Sequence, residues 1–205
     1  MSEKKRALIS VDPQNGFMPG GGLAVAKGDE IVPVINHISP KFDCIAITLD
    51  FHPKDHGSFA SNNGVKPFTM GTLDGKPQVM WPDHCVQGTK GAEHHPDLKT
   101  KGFKPFVKGT DKNADSYSGF FDNSGKNPTG LERYLKAQGV EEVYICGLAT
   151  DYCVKFTVLD AVKLGFKVYV IRDACRAVEM NEGDEKRAYD EMEKAGAKVI
   201  NSSDV

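Results

Sequence analysis

The chain lacks long hydrophobic runs and any excess of positive charge. No apolar run in its 205 residues approaches the roughly 20 residues that a membrane-spanning helix needs. Lys and Arg total 26 against 28 Asp and Glu, which gives a net charge of −2, and the basic residues are scattered along the chain. We therefore expect neither nucleic acid nor a membrane as a partner.

Paired cysteines are also lacking. The five cysteines include no CxxC spacing, and the opening segment MSEKKRALISVD has neither the apolar centre nor the small-residue cleavage site of a signal peptide. An odd number of thiols without a signal is typical of a reducing compartment. The sequence therefore predicts free thiols and a cytoplasmic location.

Short apolar runs alternate with helical patterns along the chain. Strands are predicted over 7–12, 43–50, 104–109, 142–147, 167–173 and 197–200, and helices over 29–39, 128–138, 151–164 and 183–195. With 40% hydrophobic residues and no visible linker, this alternation predicts one α/β domain over 1–205, built as a doubly wound parallel sheet flanked by helices.

The span 51–104 does not share this alternation. It is rich in Gly, Pro and His and shows little periodicity. A loop region of this length inside a compact domain is usually functional. We therefore expect the segment after the second strand to carry part of a binding site.

Reactive side chains follow several of the predicted strands. Asp12, Asp50 and Asp173 close the first, second and fifth strands, Lys108 ends the third, and Cys153 comes just after the fourth. An Asp after a strand often only caps the next turn. In open α/β sheets, however, ligands bind at the carboxyl ends of strands, where the strand order reverses. The combination therefore predicts a site at this edge of the sheet.

Cys153 is the candidate nucleophile because it is predicted at the start of a helix. A helix N-terminus carries about half a positive charge, which stabilises a thiolate, and its free N–H groups can receive an oxyanion. If strands one and four are neighbours, Asp12 faces Cys153 as a base and Lys108 balances the charge. Cys44 and Cys146 lie inside strand patterns and are interpreted as small buried hydrophobes.

A second group of polar side chains belongs to the long loop region. Asp50 and His52 are spaced to point to one side of a strand end, and His84 lies in the sequence WPDHC. His56 follows four residues after His52, but Pro53 argues against a helical pair there. One carboxylate with two or three histidines suits a divalent transition metal with open coordination positions.

Five segments together resemble the nicotinamidases of the isochorismatase-like cysteine hydrolase superfamily. They occur in order along the chain as VDPQNGF (11–17), TLDFHPKDHGSF (48–59), WPDHCVQGT (81–89), VKGTDKNADSYSGFFDN (107–123) and GLATDYCV (147–154). The resemblance implies a doubly wound α/β domain with a six-stranded parallel sheet. That fold agrees with the one predicted from the strand and helix patterns.

The resemblance also implies roles for particular residues. The catalytic triad would be Asp12, Lys108 and Cys153. The metal ligands would be Asp50, His52 and His84, with His56 as a candidate fourth ligand. The oxyanion would be held by the backbone N–H groups of Ala149 and Cys153, after a cis peptide at Leu148–Ala149. The aromatic residues around the substrate ring would be Phe17, Trp81 and Tyr117.

The reaction implied by the resemblance is hydrolysis of nicotinamide to nicotinate and ammonia through a thioester, in NAD salvage, with pyrazinamide also accepted. One divalent transition metal ion would anchor the pyridine nitrogen, with zinc expected first and iron or manganese as alternatives. The protein would act on this small molecule as a monomer or a homo-oligomer.

Three other functions compete with this one. Isochorismatases of the same superfamily lack the nucleophilic cysteine, so Cys153 argues against them. The carbamoyl-amide hydrolases keep the cysteine but lack the D-x-H and His metal set. A metal-binding or redox-sensing protein would use Cys153 as a sensor thiol, although no resolving cysteine is evident.

Overall fold

The computed structural model describes residues 5–205 and is built on six parallel strands and four α-helices. The strands of this sheet are β1 Lys5–Val11, β2 Cys44–Asp50, β5 Lys104–Lys108, β6 Val140–Leu148, β7 Lys167–Arg176 and β8 Lys198–Ile200. The helices are α1 Ile31–Ile38, α2 Leu131–Ala137, α3 Lys155–Lys163 and α4 Asp184–Ala195. The predicted α/β class with six parallel strands flanked by helices is confirmed.

The central strands are apolar along their length because both faces of the sheet are covered. In β1, the residues Ala7, Leu8 and Ile9 are completely buried. Uninterrupted apolar strands are typical of parallel sheets with helices on both faces. The covering helices show the opposite pattern, since α1 buries Ile31 and Ile35 and leaves other positions exposed.

The strand order is β5–β2–β1–β6–β7–β8, so the direction of winding reverses between β1 and β6. The first and fourth predicted strands, 7–12 and 142–147, correspond to β1 and β6. The expectation that they are neighbours is confirmed, with Val11 paired to Gly147. Gly147 has a φ of 126°, and a Cβ there would lie 2.0 Å from the carbonyl oxygen of Val11. Glycine therefore permits the close approach of β1 and β6 directly below their carboxyl ends.

Two predicted helices begin in a different way from the prediction. The predicted helix over 128–138 starts at Leu131, and Pro128 lies outside it because Gly130 takes a left-handed conformation at the N-cap. The predicted helix over 151–164 starts with a π turn, Thr150–Val154, and continues as α3. Cys153 therefore lies in the π turn and not in the first turn of an α-helix.

Asp173 does not close a strand, so its assignment to the strand-end cluster is wrong. The strand β7 continues to Arg176, because its pairing with β6 is interrupted after Ile145 and resumes at Gly147 and Cys175. The carboxylate of Asp173 accepts hydrogen bonds from the N–H and the hydroxyl of Ser202. It therefore anchors the C-terminal segment and takes no part in the candidate site.

The long loop region contains a β-hairpin that the sequence analysis missed. Its strands are β3 Thr69–Leu73 and β4 Lys76–Met80, joined by Asp74 and Gly75 with φ values of 49° and 69°. Asp-Gly with two positive φ angles is typical of a type I′ hairpin turn. The Asp-Gly dipeptide could therefore have predicted the hairpin from the sequence. The strands were missed because they lie at the surface and show little alternation of apolar and polar residues.

No helix among residues 5–205 is long and apolar enough to cross a membrane.

Candidate active site

A buried ammonium group joins three strand ends at the point where the winding reverses. Lys108 Nζ lies 2.9 Å from Asp12 Oδ2 and 2.5 Å from Asp50 Oδ1, and it donates hydrogen bonds to Ser116 O at 2.8 Å and to Cys153 Sγ at 3.4 Å. Lys108 is only 2% exposed. One cation thus holds both carboxylates and the thiol in a single cluster.

Asp12 is fixed in position by its backbone and by a hydroxyl group. It has a φ of 46°, a left-handed conformation that Asp adopts more readily than most residues. Thr48 Oγ1 donates a hydrogen bond to Asp12 Oδ1 at 2.6 Å. A carboxylate oxygen of Asp12 and the thiol sulfur of Cys153 lie within 4.8 Å of each other. This arrangement directs the carboxylate toward the thiol.

The two carboxylates differ in basicity although both contact Lys108. Burial raises the pKa of Asp12, against the opposing charge of Lys108, and the neighbouring Asp50 raises it further. For Asp50, burial acts in the same direction, but Lys108 and His52 outweigh it and hold the pKa well below its usual value. Two carboxylates whose pKa values are shifted in opposite directions by their surroundings take different roles in catalysis. Asp50 stays ionised, and Asp12 is the better proton acceptor.

The surroundings of Lys108 and Cys153 also shift the pKa values of these two residues. Burial alone would lower the pKa of Lys108, but Asp12 and Asp50 outweigh it and hold the pKa well above its usual value. Burial raises the pKa of the Cys153 thiol well above its usual value, and Lys108 opposes this only in part. The thiol is therefore neutral in the resting site. This corrects the expectation of a thiolate stabilised by a helix N-terminus.

The turn that carries Cys153 is closed by backbone hydrogen bonds. The carbonyl oxygen of Ala149 accepts hydrogen bonds from the N–H groups of Tyr152 and Val154 at 3.1 and 3.0 Å. The peptide bond between Leu148 and Ala149 is cis, as the resemblance implies. The structure brings Ala149 and Cys153 to the same cavity, and their role as oxyanion donors stays a prediction.

The predicted metal ligands Asp50, His52 and His84 also come together. Asp50 Oδ2 lies 3.4 Å from His52 Nε2 and 3.7 Å from His84 Nε2. The Nδ1 atoms of the two rings lie 2.9 Å from Gly109 O and 2.8 Å from Pro82 O. Donation from Nδ1 to a carbonyl leaves the lone pair of each Nε2 atom free for a metal.

The spacing of these atoms fits a metal ion. Bonds of about 2.0–2.2 Å at tetrahedral angles separate ligand atoms by roughly 3.3–3.6 Å, close to the two separations seen here. Gly109 makes this arrangement possible, since a Cβ there would lie 2.4 Å from the His52 ring. The donor set of one carboxylate and two imidazoles suits a divalent transition metal.

His56 occupies a different place from the other two histidines. One of its ring nitrogens groups with His52 and Asp115, not with Asp50 and His84. Its Nδ1 lies 2.8 Å from Ser58 Oγ, and its Nε2 is buried with no hydrogen-bond partner among the described residues. Burial lowers the pKa of His56 to about 4, so the ring is neutral. Its role as a fourth ligand stays a prediction.

A small cavity connects the thiol with the metal ligands. Its lining includes the thiol residue Cys153 together with Asp50 and His84 of the predicted metal set. The predicted aromatic residues all reach this cavity, which is lined by Phe17, Leu23, Asp50, Trp81, His84, Asp115, Tyr117, Ala149, Tyr152, Cys153 and Val178. Its aromatic side chains offer apolar faces and edges to a flat aromatic ring.

Several residues that support the site were missed by the sequence analysis. Gln14 donates to the carbonyl oxygens of Asp50 and Ala92 and accepts from the N–H of Asp50. Asp115 lines the cavity and accepts from Gln78 Nε2 at 2.6 Å. Gln14 and Asp115 lie inside two of the five segments that carry the family resemblance, so the sequence could have singled them out. Only the folded chain shows what they contact.

An α/β fold with a buried Asp, Lys and Cys cluster beside a carboxylate and two histidines is typical of a cysteine-dependent hydrolase that also holds a metal. The Isochorismatase domain family matches residues 6–204 of the chain. A nicotinamidase of Escherichia coli strain K12 is 48% identical over 204 residues, which cover 97% of this chain and 96% of that protein. The chain therefore belongs to the isochorismatase family.

Solved structures agree with this assignment. A nicotinamidase and pyrazinamidase of Acinetobacter baumanii has a TM-score of 0.94 at 46% identity, with 100% of this chain and 99% of that chain covered. A pyrazinamidase of Pyrococcus horikoshii in complex with zinc has a TM-score of 0.80 at 40% identity, with 96% and 99% covered.

Proposed function

We propose that this chain is a metal-dependent amidohydrolase that converts nicotinamide to nicotinate and ammonia, and that also hydrolyses pyrazinamide. The observation that carries the proposal is the buried cluster of Asp12, Lys108 and Cys153, whose thiol residue lines a cavity with aromatic walls. The near full-length similarity to nicotinamidases supports the choice of amide.

Acylation starts from the neutral thiol. Asp12 accepts the proton of Cys153 as the sulfur attacks the carboxamide carbon, so a C–S bond forms and the carbonyl oxygen takes the negative charge. The ammonium of Lys108, 3.4 Å from the sulfur, stabilises the negative charge that develops there. The N–H groups of Ala149 and Cys153 hold the oxyanion.

The amide bond then breaks. Asp12 returns its proton to the amide nitrogen, ammonia leaves, and the acyl group remains on Cys153 as a thioester. A water molecule next loses a proton to Asp12 and attacks the thioester carbon. The C–S bond breaks, nicotinate is released, and the proton on Asp12 returns to the sulfur. The raised pKa of Asp12 suits a group that accepts a proton twice and returns it twice.

Asp50, His52 and His84 would hold one divalent metal ion beside the cavity, which Asp50 and His84 line. The zinc in the related pyrazinamidase supports zinc as the ion, with iron and manganese as alternatives. The ion would supply a Lewis acid to anchor the ring nitrogen of the substrate. Anchoring the ring there and the carboxamide at Cys153 would orient the amide for attack.

Aromatic side chains would hold the ring of the substrate. Phe17 and Trp81 line the same cavity, and the indole N–H of Trp81 donates to the hydroxyl oxygen of Tyr117 at 3.2 Å. The ring of Tyr152 packs edge-on against Trp81, with centroids 4.8 Å apart. Rings that are held by such contacts present fixed faces to a flat ligand.

The proposed reaction belongs to NAD salvage, because it returns the nicotinamide released from NAD as nicotinate. A cytoplasmic location and a monomeric or homo-oligomeric state are part of the same proposal. The five cysteines are free and buried, which fits a reducing compartment.

An ammonia-release assay tests the proposal. Purified protein loaded with zinc would be given nicotinamide, pyrazinamide and a carbamoyl amide in parallel, and bound metal would be measured in the same sample. Nicotinamide should be turned over with the highest kcat/KM. Faster turnover of the carbamoyl amide would overturn the substrate assignment, and the absence of ammonia from every amide would overturn the enzymatic function.

A further inference from the structure

Two residues separate the enclosed cavity from an outer groove. Leu23 and Val178 line the cavity that contains Cys153, and they also line a second depression on its outer side. The remaining wall of this outer groove is apolar and includes Pro67, Phe68 and Met180. The side chains of Leu23 and Val178 therefore form a partition between two spaces.

Val178 and the two residues after it are joined to the turn that carries the thiol by one hydrogen bond each. The carboxylate of Asp151 accepts a hydrogen bond from the N–H of Val178 at 3.0 Å and another from the N–H of Glu179 at 2.9 Å. The hydroxyl of Tyr152 donates to the sulfur of Met180 at 3.2 Å. Asp151 is itself buried, and hydrogen bonds to a buried carboxylate are stronger than those between neutral groups.

We propose that Val178 determines which substituted aromatic amides the cavity accepts, and that Asp151 is the positioning residue that holds Val178 in place. The ligands in question are nicotinamides that carry an apolar group on ring carbon 5. That group would pass between Leu23 and Val178 into the outer groove. The inference rests on the proposed function of this site.

Carbon 5 is chosen because of the two contacts that would fix the orientation of the ring in the cavity. In the proposed reaction, the carboxamide on carbon 3 would lie at Cys153, and the ring nitrogen would face the metal ion held by Asp50, His52 and His84. Carbon 2 lies between these two positions on the ring, and carbon 5 is directly opposite carbon 2. A substituent on carbon 5 therefore points away from both the thiol and the metal ligands. Leu23 and Val178 line the cavity without belonging to the catalytic cluster or the metal set, and they also line the outer groove, so we assign the carbon 5 substituent to them.

The test compares nicotinamide with 5-methylnicotinamide in three proteins. In Val178→Ala, the preference for nicotinamide over 5-methylnicotinamide, taken as the ratio of kcat/KM values, should fall about tenfold or more, as expected for a methyl group in an apolar pocket. Val34→Ala is the matched control, because Val34 is also a half-buried valine but lies on α1. Its ratio should equal that of the wild type.

Leu23→Ala provides a second opening in the same partition, in case Val178→Ala fails to fold. It should lower the same ratio. An unchanged ratio in both variants, or an equal fall in Val34→Ala, would overturn the inference. If the wild type releases ammonia from nicotinamide while the ratios stay constant, only this inference fails. If the wild type releases none, the proposed function fails.

Asp151→Asn tests the positioning role. The amide keeps an acceptor oxygen for one N–H, but its NH₂ group cannot accept the hydrogen bond from the other. The ratio should therefore fall in the same direction as in Val178→Ala, by a smaller factor, and KM for nicotinamide should rise more than kcat falls. A loss of kcat with an unchanged ratio would show that Asp151 only supports the fold of the turn.

Discussion

The candidate site has two halves that are held in place by different means. Asp12, Lys108 and Cys153 come from the ends of β1 and β5 and from the turn after β6, so the pairing of the sheet sets their positions. The histidines and Trp81 come from the segment between β2 and β5. In that segment His52 and Trp81 make only isolated bridges, with Val86 and Phe59.

The loop half depends on side chains that take the place of a sheet. Asn62 donates to the carbonyl oxygens of Lys54 and His56, and Asn63 donates to those of Gly57 and Phe59. Side-chain amides of this kind replace backbone partners in irregular segments. The catalytic residues and the predicted ligand Asp50 are therefore held by the sheet, whereas the predicted ligands His52 and His84 depend on local bonds. The two halves should therefore fail separately.

The largest effect is expected from the sheet half. Cys153→Ala should reduce ammonia release from nicotinamide about 10³-fold or more, because it removes the attacking atom. Bound zinc and the unfolding midpoint should stay close to the wild type. Asp12→Asn combined with Cys153→Ala should be little worse than Cys153→Ala alone, since the groups act as a unit. Loss of metal in Cys153→Ala would contradict the separation of the halves.

His84→Ala should produce the complementary failure. It removes one of three ligands, so bound zinc should fall and the apparent KM for nicotinamide should rise. The loss of metal affinity should exceed the roughly 10–100-fold that loss of a residue hydrogen-bonded to a ligand costs. Metal analysis after dialysis measures this directly. His37→Ala, at an exposed position on α1, is the control and should bind zinc normally. Full occupancy in His84→Ala would remove His84 from the ligand set.

A smaller effect, on stability, is expected where the two halves meet. Gln14 makes three buried hydrogen bonds between the end of β2 and the loop at Ala92. Gln14→Ala should cost about 1–3 kcal/mol in free energy of unfolding, because it leaves buried backbone groups unpaired. Urea titration measures this. Gln87→Ala removes one exposed hydrogen bond to Phe51 and should cost less. Equal costs would contradict the bridging role of Gln14.

The smallest effect concerns ring binding. Trp81 is the only tryptophan, so its emission reports on the cavity alone. Nicotinamide added to Cys153→Ala should change that emission saturably, and removal of zinc should weaken the response. Trp81→Phe should weaken binding modestly, since an aromatic pair contributes about 0.5–1.5 kcal/mol beyond burial. Binding by calorimetry with constant emission would exclude contact with Trp81.

The sheet half was the more predictable of the two. Apolar runs that end in Asp12, Asp50 and Lys108 predict strands and a common edge, because parallel strands in a doubly wound sheet share their carboxyl ends. Asp173 was misplaced since a pairing irregularity between β6 and β7 leaves no trace in composition. The π turn before α3 was missed for a similar reason, since its residues fit a helical pattern equally well.

The loop half could be predicted only as a list of ligand types. The spacing of Asp50 and His52 predicts one shared direction, and Pro53 argues against a helical pair of His52 and His56. The sequence does not, however, show where the His56 ring lies. That position depends on Ser58, whose hydroxyl and N–H both lie at the His56 ring. Contacts made by single side chains across a long loop carry no periodicity, so patterns cannot reveal them.

The central claim is that the amide passes through a thioester on Cys153. Hydroxylamine added during turnover of nicotinamide tests it most directly, because a thioester is open to attack by this competing nucleophile. If the thioester forms, part of the product should be the hydroxamate of nicotinate, in proportion to the hydroxylamine concentration. Cys153→Ala should form none. Nicotinate as the sole product, at an undiminished rate of ammonia release, would contradict the thioester and indicate direct attack of water on the amide.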